Sequence, residues 1–271
     1  MVNVKFVSAL SACGLAVVLG GCSDASGPNT QSNVAVRFGR STASGVTPSI
    51  VSLSTVGSSA SESAPLVVTG SNGTLSITNV SFIVAEVELE CAGHTSVGPA
   101  CADFKAAPSF VKLPLSAGTV DAASAGVPSG TYSDLEFQIE NLEDDADASA
   151  SKRAQTAALR SVIRAAYPDF PDKASLLVEG TFTPNGSTQA VAFRTYFNAE
   201  IKVEMGLMPP LVVTDAVASR ALAVDVQPAM WFKRADGTVL DLSRLDYGRT
   251  GATASLEVEL KQGFRSVKKE D

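Results

Sequence analysis

Three side chains that can bind a metal or form a covalent cross-link lie within one short stretch of the sequence. Cys91 and Cys101 are separated by nine residues, and His94, the only histidine of the chain, lies between them. A cysteine pair that follows a strand-like segment predicts a disulfide closing a loop. With the imidazole, the same residues would supply three of the four ligands of a tetrahedral zinc site. The disulfide is favoured if the chain is exported, because thiols outside the cytoplasm oxidise.

The presence of a single histidine limits the catalytic chemistry that the chain can support. A Ser-His-Asp triad would have to use His94, and the sequence has no G-x-S-x-G nucleophile motif. It also has neither an HExxH zinc motif nor a G-x-x-x-x-G-K-[ST] phosphate loop. We therefore expect a protein that is not an enzyme, with no catalytic residue, no metal and no cofactor, and with His94 in an exposed loop.

Carboxylates occur in two groups that could supply oxygen ligands to calcium. The first group is Glu143, Asp144, Asp145 and Asp147, and the second is Asp236, Asp241 and Asp246. Neither has the alternating spacing of a calcium-binding loop, so a solvated helix start and a turn are the simpler interpretations. A carboxylate pair could also hydrolyse glycosides, but the sequence singles out no such pair.

The start of the chain reads as an export signal. Residues 1–21 carry one charge, Lys5, then an apolar run and two glycines, which is typical of a signal peptide. The following stretch Leu19-Gly20-Gly21-Cys22 resembles the lipobox of bacterial lipoproteins. The resemblance implies that Cys22 is acylated, with palmitate among its chains, and becomes the first residue of the mature protein. Ser23 after this cysteine implies the outer membrane.

The remainder of the chain predicts a tether and one folded domain. Residues 22–32 are small and polar and indicate a flexible tether; 33–64 contain an edge strand and a Ser-rich loop, 65–265 the domain, and 266–271 a charged tail. The formal net charge of −7 argues against a nucleic-acid partner, because an acidic surface repels phosphate.

Apolar residues alternate with polar ones through most of the predicted domain, which indicates β-strands. Asn72-Gly73 and Asn185-Gly186 each predict a hairpin turn, and apolar residues occupy the odd positions from Val191 to Met205, with Thr195 the exception. Closing strands are expected at 222–226 and 256–260, with Trp231 and Phe232 in the core.

One segment has helical periodicity instead. Leu159, Val162, Ile163 and Ala166 recur at the spacing of one helix face, which predicts a helix at about 149–167. The fold class is therefore all-β: an immunoglobulin- or transthyretin-like antiparallel β-sandwich with one inserted α-helix.

Several longer stretches resemble a loosely defined group of uncharacterised bacterial lipoproteins whose β-sandwich domain has no known function. The resemblance is carried by "GTLSITNVSFIVAEVELE", "FVKLPL", "VPSGTYSDLEFQI" and "VQPAMWFKRADGTVLD". These motifs are structural, so they assign no catalytic residue.

Together, these features predict a lipoprotein of the bacterial envelope, anchored facing the periplasm or the cell surface, whose sandwich binds a protein or a glycan without catalysis. The alternatives are a structural accessory subunit of a membrane or envelope complex and, third, a carboxylate-dependent hydrolase. Tyr196, Phe197 or Trp231 could line a ligand-binding face, although core packing is the simpler interpretation.

Overall fold

The structure is a computed structural model that describes residues 32–40, 64–92, 103–143, 148–214 and 219–270. The predicted signal peptide, the lipobox with Cys22, nearly all of the tether, the Ser-rich loop, His94 and Cys101 lie outside the described residues. The strands are β1 (Ser32–Arg40), β2 (Leu66–Gly70), β3 (Gly73–Cys91), β4 (Phe104–Ala106), β5 (Ser109–Lys112), β6 (Gly118–Val127), β7 (Gly130–Ile139), β8 (Leu176–Pro184), β9 (Val191–Asn198), β10 (Ile201–Val213), β11 (Ser219–Val226), β12 (Ala254–Ser255) and β13 (Phe264–Glu270).

Helices are few in the described part of the chain. They are α1 (Ala150–Ala166), α2 (Ala229–Phe232), α3 (Tyr247–Thr250) and α4 (Glu257–Gly263), with one 3-10 helix at Leu242–Leu245. Among these described elements, no helix has the length and apolar character needed to cross a bilayer.

The strands form two sheets that pack in a sandwich-like arrangement, so the prediction of a mostly β fold is confirmed. The smaller sheet has the order β13-β11-β1-β6. The larger has the order β10-β7-β3-β8-β9-β12, and β2, β4 and β5 also pair with the long strand β3. The two sheets share one hydrophobic core.

Aromatic rings join the two sheets at the centre of this core. The ring of Phe137 from the larger sheet lies 5.0 Å from the rings of both Phe38 and Phe264 in the smaller sheet. Trp231 and Phe232 of α2 are fully buried against them, which confirms their predicted place in the core.

The inserted helix forms a second layer on the outer face of the larger sheet. Helix α1 begins after Ser149, whose Oγ accepts a hydrogen bond from the N–H of Lys152 (3.1 Å), an N-cap that confirms the predicted start. Ile163 is buried in an apolar cluster on the sheet. Val162, predicted on the same face, is 63% exposed, so the buried stripe is narrower than expected.

Strand β1 was predicted at a sheet edge, and this prediction is wrong. It lies between β6 and β11 in the smaller sheet and pairs with β11 in parallel. The sandwich is therefore not wholly antiparallel. The alternation of Val34, Val36 and Phe38 predicts which face of the strand is buried, but it carries no information about the strands on either side.

The alternation from Val191 to Met205 is divided between β9 and β10, which are separated by β8, β3 and β7 in the larger sheet. The chain leaves β9 at Ala199, which is fully buried. There the Oγ of Ser175 accepts a hydrogen bond from the Ala199 N–H (2.9 Å) and donates one to its carbonyl (2.8 Å). This side chain takes the place of a ladder partner, so the strand ends although its apolar pattern continues.

The predicted closing strand at 256–260 is also wrong, because this segment belongs to helix α4. Leu256 and Leu260 are both buried, and the N–H of Leu260 bonds the carbonyl of Leu256 (3.1 Å). Two residues four positions apart share a face in a strand and in a helix alike, so the spacing of the leucines did not distinguish the two.

Residues 266–271 were predicted to form a charged tail, and this is corrected by β13. The strand pairs with β11, with Val267 opposite Val224, and belongs to the smaller sheet through Glu270. Phe264 and Val267 pack on the core, but they are three residues apart and lie among Arg265, Lys268 and Lys269, so the segment shows no period of two that would have predicted a strand.

Of the two predicted hairpin turns, one is shifted by a residue. Gly73 pairs with Gly70, so the turn residues are Ser71 and Asn72. The turn at Asn185-Gly186 is confirmed, with Gly186 at φ 77°, a left-handed conformation that favours glycine.

Candidate binding groove

The predicted disulfide is described at one of its ends. Cys91 closes β3 and is disulfide-bonded. Its N–H also donates to Oδ1 of Asp103 (3.1 Å), which fixes the start of the next described segment beside the end of the strand. Cys101 lies outside the described residues, so the pairing of Cys91 with Cys101 stays a prediction.

The three aspartates considered as calcium ligands lie in one region but have separate structural roles. The Oδ1 atom of Asp236 accepts bonds from the N–H and the hydroxyl of Thr238 (2.9 and 2.7 Å), and these bonds lower the pKa of Asp236. Asp246 accepts from the backbone N–H of Arg194 (2.9 Å), and Asp241 bonds within its own loop. Over the described ranges, no three acidic, histidine or cysteine side chains are grouped to hold a metal ion.

Of the acidic run before α1, Glu143 is described, and Asp144, Asp145 and Asp147 lie outside the described residues. The aromatic residues considered for a ligand-binding face, Tyr196, Phe197 and Trp231, are fully buried. Their predicted role in core packing is therefore confirmed.

A polar network holds the helix layer on the larger sheet. Arg194 of β9 donates from Nε to Glu179 of β8 (2.7 Å) and pairs with Asp169 (3.4 Å). The Tyr196 hydroxyl donates to Asp169 (2.8 Å), and Asn79 donates to Glu179 (2.8 Å). Burial and the bond to Asp169 raise the pKa of Tyr196. These carboxylates are engaged by cationic and amide donors, which suits a structural role better than general acid-base chemistry.

A groove of about 500 Å³ with mixed polar and apolar lining lies between three chain segments. Its walls come from the β2–β3 turn, the end of β8 and the segment 234–245, and we name it the loop groove. Pro184, Leu240 and Leu245 give apolar surface, whereas Arg234 and Arg244 bring two guanidinium groups to it. Ligand pockets of proteins have volumes of about 300–1,000 Å³ and combine apolar lining with a few polar groups, so the groove has the size and composition of a binding site.

One asparagine side chain positions the wall of the loop groove. Oδ1 of Asn72 accepts from the N–H of Val239 (2.9 Å), and its Nδ2 donates to the carbonyl of the same residue (2.8 Å). Val239 in turn bridges to Lys233 across the turn at Asp236. The asparagine amide thus pairs with Val239 as a neighbouring strand would, and it locks the 233–239 segment to the β2–β3 turn.

We expect Asn72→Ala to destabilise the protein by about 1–3 kcal/mol, because both backbone hydrogen-bonding groups of the buried Val239 lose their partner. Amide hydrogen exchange at Val239 should accelerate in the same variant. Asn185→Ala is the matched control, since the Asn185 side chain makes an exposed bond of 3.3 Å to the Ser71 carbonyl. Equal effects in denaturant unfolding would contradict the role given to Asn72.

A second surface is the face of β3, β7 and β10 that carries their glutamates, which we name the acidic face. Glu88, Glu136 and Glu204 lie directly opposite one another on these three strands. Lys105 and Lys202 bridge it, with Lys202 Nζ 2.6 Å from Glu136. Burial alone would raise the pKa of Glu136, but hydrogen bonds from Lys202 and Gln138 outweigh it and lower the pKa.

Glu140 follows the last residue of β7 beside this face, in surroundings that disfavour the charged form of its carboxyl group. Burial, followed by the charges of Glu143 and Glu200, raises its pKa. A carboxyl whose pKa is higher in the folded state than in the unfolded state favours folding at acidic pH, and this contribution is lost as the pH rises. We expect Glu140→Gln to raise the urea midpoint at pH 7 and to lose this advantage near pH 4. A constant difference across that range would contradict the assignment.

The residues of the loop groove were not identified from the sequence. Asn72, Pro184 and Leu240 come from segments more than 50 residues apart. The predicted turns at Asn72-Gly73, at Asn185-Gly186 and near Asp236 mark the three walls one by one, but nothing in the sequence indicates that they meet. No family model, curated protein or solved structure matches the chain.

Proposed function

We propose that the protein is a lipid-anchored, non-enzymatic binding module of the bacterial envelope that takes a protein or glycan ligand in the loop groove. Its sandwich would be a variant of the immunoglobulin- or transthyretin-like type, and the anchor would be the acylated Cys22, in the outer membrane. The proposal joins a fold with an exposed groove to a sequence that begins like those of exported lipoproteins.

The observation that carries the binding role is the composition of the loop groove. The side chain of Arg244 is 84% exposed and is oriented by Asp241, with its Nε 3.2 Å from that carboxylate. A guanidinium held in this way keeps donors free for a carboxylate, a phosphate or sugar hydroxyls. Leu240 and Leu245 beside it are only partly buried and offer apolar contact.

Acylation is tested by growing cells with radiolabelled palmitate. We expect label on the wild-type protein and its complete loss in Cys22→Ala. Cys13→Ala is the matched control, because Cys13 lies within the predicted signal peptide and its replacement should leave the label in place. A wild-type protein without label would contradict the lipid anchor.

Binding in the loop groove is tested with a photo-crosslinking amino acid at position 245 in intact cells, followed by mass spectrometry. We expect an adduct of one defined partner, reduced at least tenfold when Arg234 and Arg244 are both replaced by Ala. The same crosslinker at Val162, which is 63% exposed on α1, should give no such adduct. An adduct unaffected by the arginine substitutions would contradict a role for the groove.

The structural-subunit alternative finds support in the acidic face, where glutamates of three neighbouring strands lie opposite one another and are bridged by two half-exposed lysines. A partner that remains bound in fixed stoichiometry through purification would favour this alternative. Crosslinks at Glu88 or Glu204 would then exceed those at Leu245.

A further inference from the structure

An apolar projection interrupts β10 where its pairing with β7 breaks. The pairing runs to Gly206 and resumes at Leu211, so the residues between them bulge out of the sheet. Leu207 and Leu211 are buried on either side, whereas Met208 is 94% exposed. The next two residues, Pro209 and Pro210, are also exposed and have no N–H to donate to a neighbouring strand.

The exposed apolar side chains of this bulge and of Val212 just after it lie close together in the sequence, next to two buried leucines. Val212, two residues after the prolines, is 52% exposed, and we name Met208–Pro210 with Val212 the apolar tip. The buried Leu207 and Leu211 flank Met208–Pro210, and Val212 pairs with Thr131 of β7, so little conformational entropy is lost when the tip contacts a partner. Contiguous apolar side chains in contact with water often mark an interaction surface, so the exposed Met208 and Val212 indicate one here.

The position of the tip relative to the chain's amino end indicates what it meets. Ser32, the first described residue, pairs with Val127 at the end of β6. Strand β7 begins three residues later, and its first residue, Gly130, pairs with Val213 at the end of β10. The tether and the strand that carries the tip therefore meet at the same end of the sandwich.

The predicted tether is short enough to keep this end of the sandwich close to the membrane. Fully extended, residues 22–32 span at most about 35–40 Å. Tethering of this kind converts a weak contact into an intramolecular one with an effective concentration on the order of millimolar. A small apolar tip is then sufficient, just as a single acyl chain needs a second signal for stable membrane binding.

The charge beside the tip fits a bilayer surface. The ammonium of Lys269 donates to the carbonyl of Pro210 (3.3 Å), and Lys268 is next to it on β13. Cationic side chains behind an apolar tip suit the phosphates of the headgroup layer, while the tip itself suits the boundary of the acyl chains.

We propose that the apolar tip inserts into the interfacial layer of the bilayer that holds the lipid anchor, and so orients the sandwich on the membrane. This inference rests on the lipid anchor of the proposed function. It adds a second contact through the folded domain, which would turn the loop groove and the acidic face toward fixed directions.

The test places an environment-sensitive fluorophore on the full, acylated protein in vesicles of phosphatidylethanolamine and phosphatidylglycerol. Met208→Cys carries the probe, and Val162→Cys is the matched control, because both positions are exposed apolar residues. Wild-type protein labelled in parallel measures the background from native cysteines. We expect a blue-shifted emission at position 208 and at least twofold more quenching by lipid-attached quenchers there than at position 162.

Mass spectrometry of the same sample separates the two proposals. Acylated protein whose position 208 behaves like position 162 would overturn the membrane contact and leave the anchor intact. A sample without acyl chains would overturn both. Crosslinking of position 208 to a protein, without quenching by lipid, would assign the tip to a protein partner and equally overturn the inference.

Discussion

Gly180→Ala is expected to destabilise the protein by about 3 kcal/mol or more, at the upper end of the range for overpacked sites. Gly180 lies in β8 opposite Ile77, where β3 carries an extra residue and the register shifts before Asn79. A Cβ at this position would lie 2.1 Å from the carbonyl oxygen of Ser76 and 3.0 Å from Cα of Ile77. Both obstacles are backbone atoms of the central strand, so no change of rotamer relieves them.

The matched control for this substitution is Gly206→Ala. Gly206 belongs to the same sheet, and a Cβ there would meet a single neighbouring atom, Oδ1 of Asp134, at an ordinary 3.7 Å. We expect a change within about 0.5 kcal/mol, since alanine restricts the unfolded chain without straining the fold. Denaturant unfolding of the two variants side by side measures the difference. Equal stabilities would show that β3 and β8 do not approach as closely at this bulge as the structure has them.

The burial pattern of the long strands could be predicted from the sequence, but the order of the strands could not. Alternation identified most of β3 and β7 because burial of one face imposes a period of two, whichever strands are the neighbours. The order of strands depends on contacts between segments far apart in the chain, and alternation contains no trace of them. Strand β1 could therefore be recognised, although its place inside the smaller sheet and its parallel pairing with β11 could not.

A hydrogen bond between distant positions of the chain decided one further difference. The break at Ala199 depends on the hydroxyl of Ser175, a residue 24 positions earlier. By contrast, α1 was predicted to within one residue at either end, because its start is capped by Ser149 and Pro168 follows Tyr167 at its end. Interactions between residues close in the sequence, such as helix caps, can be predicted from the sequence, whereas hydrogen bonds between distant strands cannot.

The candidate site follows the same rule. The loop groove is assembled from three turns that the sandwich brings to one place, and each turn alone is an ordinary hairpin or Asx turn. Arg244 is a candidate binding residue because Leu240 and Pro184 line the same groove, and these three residues come together only in the folded chain.

The second large effect is expected at Phe137, where the two sheets meet. The Phe137 side chain is fully buried, and its ring lies 5.0 Å from those of Phe38 and Phe264 in edge-to-face contact. Phe137→Ala removes the ring from both pairs and leaves a cavity that the surrounding β-structure cannot fill, so we expect a loss of about 3–5 kcal/mol. Single domains are stable by about 5–15 kcal/mol, which makes this a large fraction of the total.

Two further variants tie that loss to the contact between the sheets. Phe137→Leu keeps most of the volume and should cost less than half as much, whereas Val67→Ala, at a side chain 57% exposed on β2, should change stability by no more than about 0.5 kcal/mol. If Phe137→Ala and Val67→Ala unfold at the same urea concentration, the aromatic cluster is not what joins the sheets. The graded order Ala, Leu, Phe at position 137 follows only if the cost comes from the volume of ring removed from a closed core.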